Sequence, residues 1–258
     1  MSVGWLCKHT PRPQATTRLF CFPYAGVGSS AYRLWAAALP ASLEVCAVQL
    51  PGRENRLREV PLASIATMVE AVVAALLPHL DLPFAFFGHS MGAVLASEVA
   101  RALASAGRSL PRHLFVSGRR PPHIPGAEPP FHTLPDSEFV AEINRRYRGI
   151  PAEVMQQQEL MALLLPCLRA DITALETHLP VRRAPLSCPI SAFGGADDRL
   201  TPREHLEAWS VETSAAFHVH VYPGDHFYLN SQRAQLLADL SATLAPILSA
   251  PVLWSVRA

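Results

Sequence analysis

The folds open to this chain are limited most by a recurring unit: a short apolar run, a turn signal, then a helical pattern. "RLFCFPY" (18–24) leads through "AGVGSS" into a helix from about Ala31. "LEVCAVQLPG" (43–52) leads through an Arg-rich loop into "SIATMVEAVVAALLPHL", and "FAFFGHS" (84–90) into "MGAVLASEVARALASAG". "HLFVSGRR" (113–120), "CPISAFGG" (188–195) and "FHVHVYPG" (217–224) are further runs of this kind. Such runs, β-branched and aromatic and alternating with helices, predict an α/β fold with a mostly parallel sheet and helices on both faces. The opening "VGWLC" adds an edge strand.

The alternation breaks once, between about residues 121 and 185. A Pro-rich loop, "PPHIPGAEPP", precedes "LPDSEFVAEINRRY" and "PAEVMQQQELMALLLPCLRADITALETHL". Asp136 or Ser137 can cap the first of these helices, and Phe139, Val140, Ile143 and Tyr147 share one face. Helices inserted over the strand ends of an α/β sheet usually form a lid or a binding element. The expectation is one domain, 1–258, with a helical lid insertion over about 121–185. Phe139, Ile143, Met161 and Leu165 are expected to flank its substrate channel. The plainer alternative is that these helices only pack the sheet edge.

At 258 residues, 50% hydrophobic and 17% charged, the chain can bury a large core and is not a disordered one. A net charge of +1 gives no reason to expect nucleic acid as a partner. The longest apolar stretch is far shorter than a membrane span, and "MSVGWLCKHTPRPQ" lacks the apolar core of a secretory signal. Five widely spaced cysteines without a C-x-x-C pair read as reduced thiols, with Cys21, Cys46 and Cys188 packed in strands. A cytoplasmic protein, away from any membrane, is expected.

"GHSMG" (88–92) carries the chemistry. It fits G-x-S-x-G, with an apolar strand before it and a helix after it. Small residues two before and two after are needed because backbones approach closely at so sharp a turn. Ser90 therefore reads as a nucleophile at the carboxyl end of the sheet, where a helix N-terminus favours negative charge. Its partners should follow in the order acid, then histidine. His226 lies just beyond the last strand run, and Asp197 and Asp198 lie beyond the one before it. Asp198 is preferred: Gly195 precedes it by three and Pro202 follows by four, the spacing of the acid loop in α/β-hydrolases. Asp197 would instead cap the turn or face solvent. His89 reads as lining the turn around Ser90. His218 and His220 share a strand face, but no third ligand stands at a matching spacing, so no metal is expected.

An oxyanion hole needs two backbone N–H groups aimed at the developing charge. One is expected from Met91, directly after Ser90. The other is expected from Ala25, in "FPYAGVGSS", with Gly26 and Gly28 letting the backbone turn. The same loop holds G-x-G-x-x-A (26–31), a weak dinucleotide-binding signal. That reading needs an acidic residue at the end of the next strand, where Gln49 and Leu50 stand instead.

Taken in order, "FPYAGVGSSAY", "LPGRENR", "GHSMGA", "ELMALLLPCLRADITALE", "FGGADD" and "GDHFYL" resemble the type II thioesterases of polyketide and nonribosomal peptide synthetases, relatives of the medium-chain fatty acyl thioesterases. The resemblance spans roughly residues 17–245, and "LPGR", "LRAD" and "GDHF" are its specific markers. It implies an α/β-hydrolase with a helical lid and a triad of Ser90, Asp198 and His226. It also implies hydrolysis of acyl groups from the phosphopantetheine arm of carrier proteins, to edit or unblock a synthetase, with no cofactor. Acyl or peptidyl carrier proteins would be transient partners, and a monomer is expected. Val27 stands where the family usually has a second glycine, and Ile172 where it has an aromatic after "LRAD"; both bear on pocket shape. The alternative function is an esterase, lipase-type or acyltransferase α/β-hydrolase acting on free small-molecule esters. Arginines cluster at Arg53, Arg56 and Arg58, at Arg119 and Arg120, and at Arg145, Arg146 and Arg148. They predict a basic rim that steers an acidic carrier; the plainer reading is ordinary solvated charge.

Overall fold

The computed structural model describes residues 4–126, 128–179 and 183–249. Within them the apolar runs become strands β1 (Leu6–Cys7), β2 (Thr17–Phe22), β3 (Leu43–Val48), β4 (Phe84–His89), β5 (Leu114–Ser117), β6 (Ile190–Gly195) and β7 (Phe217–Tyr222). They form one sheet in the order β1-β3-β2-β4-β5-β6-β7. All pairs are parallel except the β1–β3 pair at the edge. β1 falls within "VGWLC", of which Val3 lies outside the described residues. The helices are α1 (Trp35–Ala38), α2 (Ile65–Leu76), α3 (Met91–Ser105), α4 (Asp136–Tyr147), α5 (Ala152–Met155), α6 (Gln158–Glu176), α7 (Arg203–Glu207), α8 (Tyr228–Ser231) and α9 (Arg233–Leu248).

The two-residue period of a strand divides the core. Phe20, Phe22, Phe84 and Phe86 turn to one face, where α2 and α3 cover them. Leu19, Cys21, Ala85 and Phe87 turn to the other, beneath α1 and α9. Each buried phenylalanine contributes about 1.5–3 kcal/mol, so this layer outweighs any single polar contact in fixing the register. Cys21, Cys46, Cys167 and Cys188 are buried free thiols. Burial, with Glu44 and Asp171 respectively adding to it, pushes the Cys46 and Cys167 thiols up to about 12. Burial pushes Cys188 to about 11 and Cys21 well above the ordinary range.

Two local expectations are not met. After β2 the chain makes a 3₁₀ turn, Ser29–Tyr32, and the single turn α1 in place of a full helix from Ala31. The N–H groups of Ser29 and Ser30 donate to the Gln49 and Glu54 side chains, and the Tyr32 hydroxyl to the Phe22 carbonyl. Side chains distant in sequence thus fix this segment before a helical ladder can. At α4 the cap position is Pro135; Asp136 lies in the first turn and accepts from Arg169 on α6 at 2.6 Å.

The chain passes from β2 out to β3 and returns to β4 on the other side of β2. Strand order therefore reverses between β2 and β4, which opens a crevice at their carboxyl ends. The segment between β5 and β6 contributes α4, α5 and α6. Among the described residues no helix is long and apolar enough to cross a membrane.

Candidate active site

Ser90 stands where β4 turns into α3, with φ 51° and ψ −114°. That left-handed φ is costly for a residue with a side chain and persists only where its surroundings enforce it. Gly88 and Gly92 explain how. A Cβ on Gly88 would overlap the Gly92 carbonyl, and one on Gly92 the Phe22 carbonyl. The turn is anchored by the Ser90 N–H, which donates to the Ser117 carbonyl of β5 at 2.8 Å.

Two further strand ends bring in the partners. His226 follows β7 and Asp198 follows β6, and both are almost fully buried. Gly195 lets the two loops meet, because a Cβ there would overlap the Gly224 and Asp225 carbonyls. His226 Nδ1 lies 2.7 Å from Asp198 Oδ2. A carboxylate only accepts, so Nδ1 carries the hydrogen and Nε2 is left as the basic nitrogen. Asp198 Oδ1 accepts from the Leu200 N–H at 3.0 Å, which fixes the carboxylate plane. Asp197 is exposed, and among the described residues only its backbone N–H is engaged, by the Gly224 carbonyl at 2.9 Å. Of the two aspartates, Asp198 alone reaches the histidine.

Ser90 and His226 face one cavity of about 270 Å³, whose walls are apolar. Ile143, Met161 and Leu165 line it, together with Leu164, Leu168 and Ile172. Phe139 does not. It is fully buried, packs against Phe131 at 5.3 Å and lies under the Arg169 guanidinium at 4.2 Å. The α4 face expected to flank the channel therefore splits: Ile143 points into it, while Phe139 seals α4 onto the core. Val27 and Ile172 are both in the cavity wall, so the two departures from the family pattern do fall on pocket shape. Tyr24 and Phe227, expected only as parts of "FPYAGVGSSAY" and "GDHFYL", also line the cavity and pack together at 5.4 Å.

Ala25 also lines this cavity, and Met91 begins α3 beside Ser90. Among the described residues neither backbone N–H donates to another protein group. Gly26 has φ +79°, the turn expected of it. Gly28 does not: its φ is −113°, and its small size instead makes room for Gln49 and Glu54, whose side chains take up the Ser29 and Ser30 N–H groups. The Gly26, Ser29 and Ser30 N–H groups of that loop are thus taken by the Asp171, Gln49 and Glu54 side chains.

His89 packs against the His226 ring at 4.9 Å, with Nδ1 2.8 Å from Ser117 Oγ. Burial, then the nearness of His226, holds it well below the ordinary imidazole range, so it stays neutral. The arginine rim needs correction. Arg53 is buried against Asp171, and Arg56 is buried, ion-paired with Glu59 and stacked over Trp5. Arg145 and Arg146 share Glu128 and Glu142. Asp171 lies 118 residues from Arg53 and Glu128 lies 17 from Arg145, out of reach of local pattern, whereas Glu59 and Glu142 stand within about one helical turn of their arginines. A groove of about 480 Å³ that abuts the cavity at His226 does carry Arg119, Arg120 and Arg199.

A thioesterase-domain family model matches residues 17–244. The chain belongs to the thioesterase family. Gramicidin S biosynthesis protein GrsT of Aneurinibacillus migulanus is 42% identical over 245 residues, 95% of each chain. RedJ, a thioesterase from the prodiginine pathway of Streptomyces coelicolor, superposes with a TM-score of 0.84 at 43% identity, over 90% of this chain and 92% of its own. BorB, a type II thioesterase from the borrelidin biosynthetic cluster, does so at 0.84 and 38%, over 93% and 97%. This thioesterase is thus a hydrolase with the α/β-hydrolase fold, and its helical insertion roofs the apolar cavity.

Proposed function

We propose that this thioesterase frees acyl groups from the phosphopantetheine arm of carrier proteins in a polyketide or nonribosomal peptide synthetase, with Ser90 as nucleophile, His226 as base and Asp198 as the group that holds it. The observation that carries this reading is the 2.7 Å contact of His226 with Asp198, set beside Ser90 at the end of an apolar cavity. Ser90 Oγ attacks the thioester carbonyl carbon as His226 Nε2 takes its proton. The carbonyl oxygen becomes an oxyanion, held by the Ala25 and Met91 N–H groups; each such donor is worth roughly 10²–10³ in rate. The C–S bond then breaks, and His226 returns the proton to the leaving thiol. Water, deprotonated by His226, attacks the acyl-Ser90 ester, releasing the acid and restoring the serine.

The acyl chain occupies the cavity, and the groove with Arg119, Arg120 and Arg199 suits the polar arm and its phosphate. The carrier docks transiently at the mouth of that groove. Exposed charges act mainly on encounter, so the benefit falls on association and not on chemistry. The test compares one acyl group on a carrier protein, on coenzyme A and on N-acetylcysteamine. The carrier is expected to give the highest kcat/KM, falling as salt rises while the neutral N-acetylcysteamine thioester barely responds. A preference for free oxygen esters would instead mark a small-ester hydrolase, and transfer of the acyl group to an amine or alcohol an acyltransferase.

A further inference from the structure

Between the strand ends and the lid lies a buried ion pair that the reaction written above does not use. Arg53, in the loop after β3, and Asp171, on α6, have side chains only 3% and 0% exposed. They meet twice, Arg53 Nη1 donating to Asp171 Oδ2 at 2.7 Å and Nη2 to Oδ1 at 2.8 Å. Asp171 Oδ2 accepts a further hydrogen bond, from the Gly26 N–H at 2.8 Å, and Arg53 Nη1 also donates to the Val27 carbonyl at 3.2 Å. The pair therefore grips the backbone on both sides of Gly26, directly after Ala25.

A second contact joins the same two elements. Gly26 has φ +79°, and a Cβ there would lie 3.0 Å from Leu168 Cδ1. Leu168 is on α6 and lines the acyl cavity, as do Leu164 and Ile172. An apolar pair of similar volume could hold α6 against this loop as firmly as an ion pair. Only the carboxylate, however, supplies an acceptor for the Gly26 N–H. That bond holds the peptide plane following Ala25; the Ala25 N–H lies in the plane before it, across the Ala25 Cα, so anchoring the one narrows the swing of the other.

We propose that Asp171, held by Arg53, is a positioning residue that aims the Ala25 N–H through Gly26, so that the seat of α6 on the acyl chain tunes the oxyanion hole. This rests on reading Ala25 as an oxyanion donor.

The probe is a series of alkyl trifluoromethyl ketones. Ser90 Oγ adds to the ketone carbon, its proton passes to His226, and the ketone oxygen becomes the oxyanion. In Asp171→Leu, and in the charge-free double variant Arg53→Met/Asp171→Leu, the inhibition constant is expected to rise at least tenfold. The kcat on a short-chain thioester should fall by a similar factor, with KM within threefold. Arg53→Lys, which keeps the charge without the two-point grip, should lie between these and the wild type. Loss of folded protein lowers maximal velocity but leaves the inhibition constant unchanged, so an unchanged constant in the double variant overturns the proposal. Binding should also tighten with alkyl length more steeply in the wild type than in the variants; parallel slopes overturn the link to the acyl chain. The Ala25 amide proton resonance separates the two readings. No downfield shift on adduct formation in the wild type overturns the hole and this proposal together. A shift that persists in the variants with native inhibition overturns the tether alone.

Discussion

At the strand ends, Gly88, Gly92 and Gly195 sit where a Cβ would overlap a neighbouring carbonyl, whereas α4 meets α6 through a surface pair, Arg169–Asp136. The first kind of constraint is steric and steep: backbones in contact leave Ser90, Asp198 and His226 little freedom. The second kind is shallow, since an exposed ion pair is worth roughly 0–1 kcal/mol. From α6, Leu164, Leu165 and Leu168 line the apolar cavity. On the proposed function, the sheet holds the groups that must be exact, and the helical insertion those that accommodate different chains.

The sharpest way to break this comparison is at Ser90. Ser90→Ala and His226→Ala should each lower turnover on the order of 10⁴-fold, because triad members act as a unit. A folded Ser90→Ala variant with near-native rate would remove the strand ends as the seat of chemistry. Next in size is the contrast between adjacent aspartates. Asp198→Asn should cost about 10³-fold or more, since the imidazole loses the acceptor that fixes its tautomer, and Asp197→Asn less than about twofold. Steady-state kinetics of the two proteins side by side decides it.

A third test concerns stability of the sheet layer. Burial, with His218 and His220 adding to it, pushes His113 down to about 4; its Nε2 lies 2.9 Å from Ser191 Oγ on β6. The unfolded chain takes up this proton near pH 6.5, whereas the folded chain resists it until about pH 4. Stability therefore falls as pH drops through that window. His113→Phe, which keeps a ring against Phe115, should lose about 2 kcal/mol less than the wild type between pH 7 and pH 4.5 in urea unfolding. Equal losses would place the titration in other groups. The smallest expected effect is in the lid. Leu165→Phe should lower kcat/KM for long acyl chains about tenfold, roughly 1.4 kcal/mol, with short chains within twofold. Phe139→Leu should cost about 1 kcal/mol of stability and leave chain preference alone, since that ring packs in the core. If Phe139→Leu shifted chain preference as well, the division between cavity wall and core within α4 would be wrong.

Legibility followed the range of the forces involved. Each strand run from Arg18 onward was readable, because alternation and turn residues are local signals. The elbow at Ser90 was readable too, because the glycines that permit it lie two residues away. Asp198 could be preferred over Asp197 from Gly195 and Pro202 alone. Arg53 and Asp171 were visible only separately, in "LPGR" and "LRAD", because they lie 118 residues apart and nothing local marks the pairing. The inward face of α4 was evident, but whether Phe139 met a cavity or the core depended on Phe131 and Arg169 in other segments. The missing helix after β2 has the same origin, in Gln49 and Glu54 capturing the N–H groups of Ser29 and Ser30.

The buried cysteines bear on the chemistry of a chain that handles activated acyl groups. Exchange of an acyl group onto sulfur requires a thiolate. With Cys46 and Cys167 at about 12 and Cys188 at about 11, the thiolate fraction at neutral pH is on the order of 10⁻⁴ to 10⁻⁵. Cys167 sits buried on α6, one residue before Leu168 of the cavity wall. Keeping these four sulfurs dry makes them poor traps for an activated acyl group, which on the proposed mechanism is left to Ser90.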